Sequence, residues 1–183
     1  SADPLPEEII LSTEKLNKIE TIDTVGGTVT VEAGVLLQTL QEACVEEDML
    51  FPLDLGARGS CTIGGNVSTN AGGINVLRYG MMRNLVLGME VVLANGTVLS
   101  SMNQMLKNNT AYDLKQLFIG SEGTLGIVTR VVLRIFPKPQ SCQTALLALD
   151  KFEDVVETLQ KAQHQLGGTL SAFEVMWGNY VRG

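Results

Sequence analysis

The sequence predicts an α+β fold, a mostly antiparallel sheet flanked by helices. Three observations carry that prediction. The pair Asn95-Gly96 stands between two apolar runs, the strongest short hairpin signal. The segment GIVTRVVLRIF, residues 126–136, is rich in β-branched side chains and reads as a strand. The segment VLLQTLQEACVEEDM, residues 35–49, sets Leu36, Leu37, Leu40, Ala43, Cys44 and Glu47 at helical spacing with one apolar face.

The remaining elements follow in order. The opening SADPLPEEIILST reads as a loop with a short strand at about Glu8–Leu11. A short helix is expected over Thr13–Ile19, with Ser12 or Thr13 as its cap. TVTVEA, Thr28–Ala33, alternates and reads as a strand behind the turn Val25-Gly26-Gly27. Phe51 to Tyr79 is a long glycine-rich segment, and LGMEVVLANGTVLSS is the hairpin. YDLKQLFI, Tyr112–Ile119, reads as a short helix ending at Gly120. Pro137 and Pro139 stop the strand that follows and mark a domain boundary, giving domains of 1–137 and 138–183. Beyond it, TALLALD reads as a strand. A helix follows, with Asp150 and Glu153 in capping-box spacing and Phe152, Val155, Val156, Leu159 and Ala162 on its buried face. Gly167-Gly168 ends the helix, and LSAFEVMW reads as a second strand. A lone β-α-β unit cannot cover its own sheet, so the sequence reads as a fragment.

Composition narrows the chemistry. The chain has 183 residues, 45% of them apolar and 18% charged, which fits a packed domain and not a disordered chain. A net charge of −7 argues against a nucleic-acid partner, which needs a basic face. His164 is the single histidine, which disfavours a Ser-His-Asp triad and a multi-histidine metal site; no metal ligands are assigned. Cys44, Cys61 and Cys142 show no CxxC spacing and read as reduced thiols. No apolar run reaches the ~18 residues of a membrane helix. No basic, apolar leader opens the chain.

Glycine is the anomaly, at 19 of 183. Two windows concentrate it: PLDLGARGSCTIGGNVSTNAGG, residues 52–73, and GSEGTLG, residues 120–126. Glycine lets backbone N–H groups approach a ligand closely, and successive N–H groups form concave anion sites. Small Ser, Thr and Asn side chains add donors without bulk. Such chemistry suits a large, flat, polar ligand with phosphates. The same composition also suits a structural loop packed on a sheet. A P-loop is excluded because no lysine follows these glycines, and a GxGxxG between strand and helix is absent.

The order and spacing of FPLDLGARGSCTIGGNVSTNAGG, LRYG, VLGMEVVLANGTVL and NNTAYDLKQLFIGSEGTLGIVT closely resemble one family. It is that of the FAD-linked oxidoreductases of the vanillyl-alcohol oxidase/p-cresol methylhydroxylase fold, in the D-2-hydroxyglutarate/D-lactate dehydrogenase branch. The resemblance runs from about Glu8 to Trp177. It implies the second subdomain of an FAD-binding domain, followed by the start of a substrate (cap) domain. It implies that Pro52, Asp54, Gly56, Ser60, Thr62, Gly64, Gly65, Asn66, Thr69, Asn70, Gly72 and Gly73 line the flavin and pyrophosphate, and that Glu122, Gly123, Gly126 and Ile127 lie along the adenosine side. Family members also carry an earlier GGxTG-type loop and a later histidine-rich metal segment; nothing in this sequence matches either. The implied reaction is oxidation of a D-2-hydroxyacid to the 2-oxoacid by hydride transfer to flavin N5. Electrons would then pass to an electron-transfer flavoprotein or quinone. No catalytic base is assigned. The expected setting is bacterial cytoplasm, or the mitochondrial matrix in a eukaryote, and an exposed half-interface would allow homo-oligomers. A glycolate oxidase subunit and a cofactor-free scaffold are the alternatives.

Four further residues draw notice. Arg78 has the chemistry to hold a substrate carboxylate, though an ion pair is the simpler role, and Tyr79 beside it is similar. Cys61 lies in the first window, where a small buried hydrophobe is the ordinary reading. His164 falls on the polar side of its helix.

Overall fold

The computed structural model describes residues 9–181. Its centre is a five-stranded antiparallel sheet of β1 (Ile19–Asp23), β2 (Thr28–Glu32), β4 (Val86–Val92), β5 (Val98–Ser101) and β6 (Ile127–Arg134). The strand order is β1-β2-β6-β4-β5, so the sheet's latest strand fills its middle. It pairs on one side with β2, Thr28 opposite Arg134, and on the other with β4, Met89 opposite Val131. A two-residue ribbon joins β3 (Met49–Leu50) to β7 (Phe136–Pro137).

Helices cover one face. α1 (Leu37–Glu46) turns Leu37, Leu40 and Cys44 inward, whereas Leu36 and Glu47, expected at the same spacing, are exposed. α2 (Ile63–Ser68) adds Ile63 and Val67. These side chains meet Val29, Val31, Val91, Val131 and Leu133 of the sheet, all at most 1% exposed. Each such side chain contributes about 1.5–3 kcal/mol of transfer free energy on burial. Burial also pushes the Cys44 thiol up to about 11, so it packs as a small apolar group. Short helices α3 (Val76–Tyr79), α4 (Met82–Leu85) and α5 (Lys115–Phe118) follow. Among the described residues the buried core runs from Val29 to Ile135, with Ile19, Ile22 and Phe136 packed half-buried against it.

A charged cluster crosses the sheet. Arg130 on β6 donates through Nε and Nη2 to both oxygens of Glu20 on β1, at 2.7 and 2.6 Å. Its Nη1 lies 3.5 Å from Glu90 on β4. The Arg130 hydrogen bond holds the Glu20 carboxyl below the usual carboxylate range.

The α+β reading, the Asn95-Gly96 hairpin and the long helix stand. Several expectations do not. Glu8 lies outside the described residues, and Ile9–Leu11 is exposed and makes no strand. Thr13–Ile19 is not helical. The Ser12 hydroxyl accepts the Glu14 amide, and the Leu16 amide donates to Thr13. The carbonyls of Leu16 and Lys18 are then taken by the amides of Gly34 and Glu32, so tertiary pairing uses the groups a helix would need. The Tyr112–Ile119 helix is only the four residues of α5.

The β-α-β unit is present only as its helix, α6 (Phe152–Leu166). Residues 144–150 and 170–177 form no strand, because no neighbouring strand among the described residues takes up their backbone groups. Asp150 caps nothing, since Lys151 holds the N-cap position without a side-chain bond. The expected buried face of α6 is not buried. Phe152 and Val156 are exposed, and Val155, Leu159 and Ala162 half-buried. Phe152 stacks instead on Trp177, ring centres 5.8 Å apart. A last short helix, α7 (Gly178–Val181), follows.

Candidate functional site

The first glycine window is not a plain loop, for α2 sits inside it. Thr62 caps that helix: its hydroxyl accepts the Gly65 amide at 3.3 Å. Gly64 allows the helix to press onto the end of β2, where a Cβ would stand 2.7 Å from that of Ala33. The Ile63 and Gly64 amides donate to Val35 and Ala33, which fixes the helix entry. Asn66 is buried, its amide 3.6 Å from the Cys61 sulfur. Thr69 is exposed, and its hydroxyl donates back to the Gly65 carbonyl.

The exit of α2 is where the two windows meet. Gly120 and Glu122 donate their amides to the carbonyls of Val67 and Ser68, at 3.1 and 2.9 Å. Asn70 and Glu122 both hold positive φ, 49° and 52°, a costly conformation for a non-glycine residue. Two of the four such residues described thus lie side by side in the two windows. Gly123 continues the second window at φ 79°, and Gly126 abuts Val91 before Ile127 opens β6 opposite Val92.

A second cluster lies at the window's start. Pro52 is buried, and its carbonyl accepts the Asn75 side-chain amide at 2.9 Å. The Asp54 carboxylate stands 3.5 Å from Arg58. The Asp54 carbonyl accepts the Ile74 amide, and Gly73 crosses directly over it. Asp54, Leu55, Gly56, Arg58 and Ile74 line a shallow hollow of about 290 Å³. Ser60 is exposed and donates to the Ala57 carbonyl. Eight of the sixteen predicted residues fall into two groups. Pro52, Asp54, Gly56 and Gly73 gather at the hollow. Thr69, Asn70, Glu122 and Gly123 gather at the exit of α2.

The donor set fits a polar, phosphate-bearing ligand. Among the described residues the amides of Gly56, Gly59, Gly72, Gly73 and Gly123 meet no acceptor. Gly56 has an ordinary φ, and apart from its two chain neighbours no residue comes within 4 Å of where its Cβ would be. Nothing inside the protein requires glycine there, whereas the close approach of a ligand would.

A model of the FAD binding domain matches residues 2–101, more than half of the chain. The chain belongs to the FAD binding domain family. The expected cofactor stands with it. D-2-hydroxyglutarate dehydrogenase, mitochondrial, of Danio rerio is 51% identical over 173 residues, 94% of this chain and 32% of that protein. D-2-hydroxyglutarate–pyruvate transhydrogenase of Saccharomyces cerevisiae is 46% identical over the same share of this chain. The chain spans about a third of the length of these curated relatives. Among solved structures, an alkyldihydroxyacetonephosphate synthase superposes with TM-score 0.62 at 25% identity, covering 70% of this chain and 23% of that one.

The remaining candidates are placed as follows. Arg78 is exposed and makes no ion pair among the described residues; it lies over the Tyr79 ring, 5.0 Å from its centre. Tyr79 meets Phe136 edge-on. His164 is exposed on α6. Arg83, at the centre of the contacts between the windows, was not singled out by the sequence. Its partners are backbone carbonyls and a glutamine more than thirty residues away, which leave no local signature.

Proposed function

We propose that this chain is the cofactor-holding part of an FAD-dependent dehydrogenase that oxidises a D-2-hydroxyacid, of the D-2-hydroxyglutarate or D-lactate type, to the 2-oxoacid. One observation carries the reading: the chain ties its two glycine windows together at the exit of α2. It thereby spends backbone strain at Asn70 and Glu122 on a surface that contributes little to the core. The names of the relatives supply the substrate class.

Bound FAD supplies the hydride acceptor, at N5, for the hydrogen on the substrate's C2. The chain's own task is to bind and orient. The free Gly56 amide and Arg58 at the hollow, with the free amides of Gly59, Gly72, Gly73 and Gly123 in the two windows, offer donors to the cofactor's pyrophosphate and polar ring edges. Thr69, Asn70, Glu122 and Gly123 form the other wall. Pro52, Thr62 and Gly64 fix the backbone behind them. Asn66 fills the core side of α2, and Ser60, Gly65, Gly72, Gly126 and Ile127 complete the lining. No side chain of this chain is assigned as the base that takes the hydroxyl proton. The reduced cofactor would pass electrons to an electron-transfer flavoprotein or quinone. In a eukaryote the setting would be mitochondrial, as the relatives' names suggest; in a bacterium it would be the cytoplasm. Homo-oligomers and the boundary at about residue 137 belong to the same reading.

Titration of the purified chain with FAD tests it, read by visible absorption and flavin fluorescence. A weak but saturable spectral change is expected, with no turnover of D-2-hydroxyglutarate or D-lactate by the chain alone. An FAD spectrum unchanged by excess protein overturns the cofactor role. Turnover by the chain alone overturns the division of labour.

A further inference from the structure

We infer that Arg83 is a positioning residue that locks the two cofactor windows in register; the inference rests on the FAD reading above. Arg83 is half-buried on α4. No carboxylate lies within ion-pair distance among the described residues. Its guanidinium instead grips the end of α5. Nη1 donates to the Gln116 carbonyl at 2.8 Å and to Gln116 Oε1 at 2.7 Å, and Nη2 donates to the Ile119 carbonyl. Those carbonyls are left open where a helix ends, and a cation there also meets the negative end of the helix dipole. The Arg83 backbone amide donates in turn to Asn70 Oδ1 at 2.9 Å.

One residue therefore holds both windows. Its main chain grips Asn70 in the first, and its side chain grips Ile119, the residue before the second. A Cβ on Gly120 would stand 3.4 Å from that of Asn70 and 3.5 Å from Arg83 Nη2, so the three residues meet at one point. The bonds from Gly120 and Glu122 to the exit of α2 lie directly beside this point. The guanidinium's fixed fork lets it reach three acceptors at once, and an ammonium on a flexible stem does not reproduce that geometry.

The test compares the chain with Arg83→Gln, Arg83→Lys and Gln116→Ala by amide hydrogen exchange and by FAD titration. In both Arg83 variants the Gly120 and Glu122 amides should exchange at least tenfold faster, while Val131 and Leu133 in β6 keep their protection. FAD affinity should fall about tenfold in step. Gln116→Ala should do the same to a smaller degree, and the double variant should add little to Arg83→Gln. Unchanged exchange at Gly120 and Glu122, or loss spread evenly over β6, overturns the lock. An unaltered chain that fails to bind FAD sinks the cofactor reading alone, and the exchange result still decides the lock. If the unaltered chain binds FAD, equal affinity in Arg83→Gln overturns the positioning role.

Discussion

Gly73 and Gly56 share one window but meet different surroundings. Gly73 holds φ 74°, and a Cβ there would stand 2.1 Å from the Asp54 carbonyl. Gly56 has an ordinary φ and open space around it. Gly73→Ala should therefore destabilise the fold by about 2–3 kcal/mol, from backbone strain and overpacking together. Gly56→Ala should stay within about 0.5 kcal/mol of the parent, as a substitution free of strain does, yet weaken FAD binding. Urea denaturation and FAD titration of the two variants separate a glycine kept for the chain from one kept for a ligand. Equal loss of stability in both would contradict the distinction. At this scale the sequence marks the windows but not their conformation. Neither Asn70 nor Glu122 announces a positive φ, since tertiary bonds hold them there: the Glu122 amide donates to the Ser68 carbonyl, and Asn70 Oδ1 accepts the Arg83 amide.

Among elements, the sheet's charged cluster gives a dependence on pH. Arg130 bridges Glu20 on β1 and Glu90 on β4, tying three strands. The Glu20 carboxyl titrates below the usual 4.5 because Arg130 favours its charged form. A depressed carboxyl stabilises the fold above the unfolded-state value, and that stability is lost as the pH falls through the folded-state value. Glu20→Gln should cost about 0.5–1 kcal/mol at pH 7, little because the pair is partly exposed. The cost should shrink as the pH falls below about 4. Urea midpoints at pH 7 and pH 3 check this, and a cost equal at both would refute the assignment. Elements whose apolar residues found a neighbour were legible, as β6 and the inward face of α1 show; the Asn95-Gly96 hairpin was legible from its turn, since Val98 and Leu99 of β5 stay exposed. The strands expected at 144–150 and 170–177 were misread for one physical reason. Their patterns match a strand, but a strand exists only beside a partner.

At the scale of the whole molecule, the buried core occupies one continuous stretch of the chain. Among the described residues every buried core side chain lies between Val29 and Ile135, while Leu146, Leu147, Phe152, Met176 and Trp177 stand exposed. Removal of residues 141–183 should shift the thermal midpoint by no more than a few degrees, because about 1 kcal/mol moves a domain of this size by ~2–4 °C. A circular-dichroism melt of the shortened chain checks this. A loss of cooperative unfolding would mean that α6 supports the core after all.

The sheet's order also sets a clock. β2 lies beside β6, and Thr28 pairs with Arg134, roughly a hundred residues later. A ribosome adding about 5–20 residues per second needs on the order of 5–20 s to make that stretch. For that interval Val29 and Val31 have no sheet partner but β1 and only the helices α1 and α2 to pack against, and the sheet closes when its last strand arrives to fill the middle.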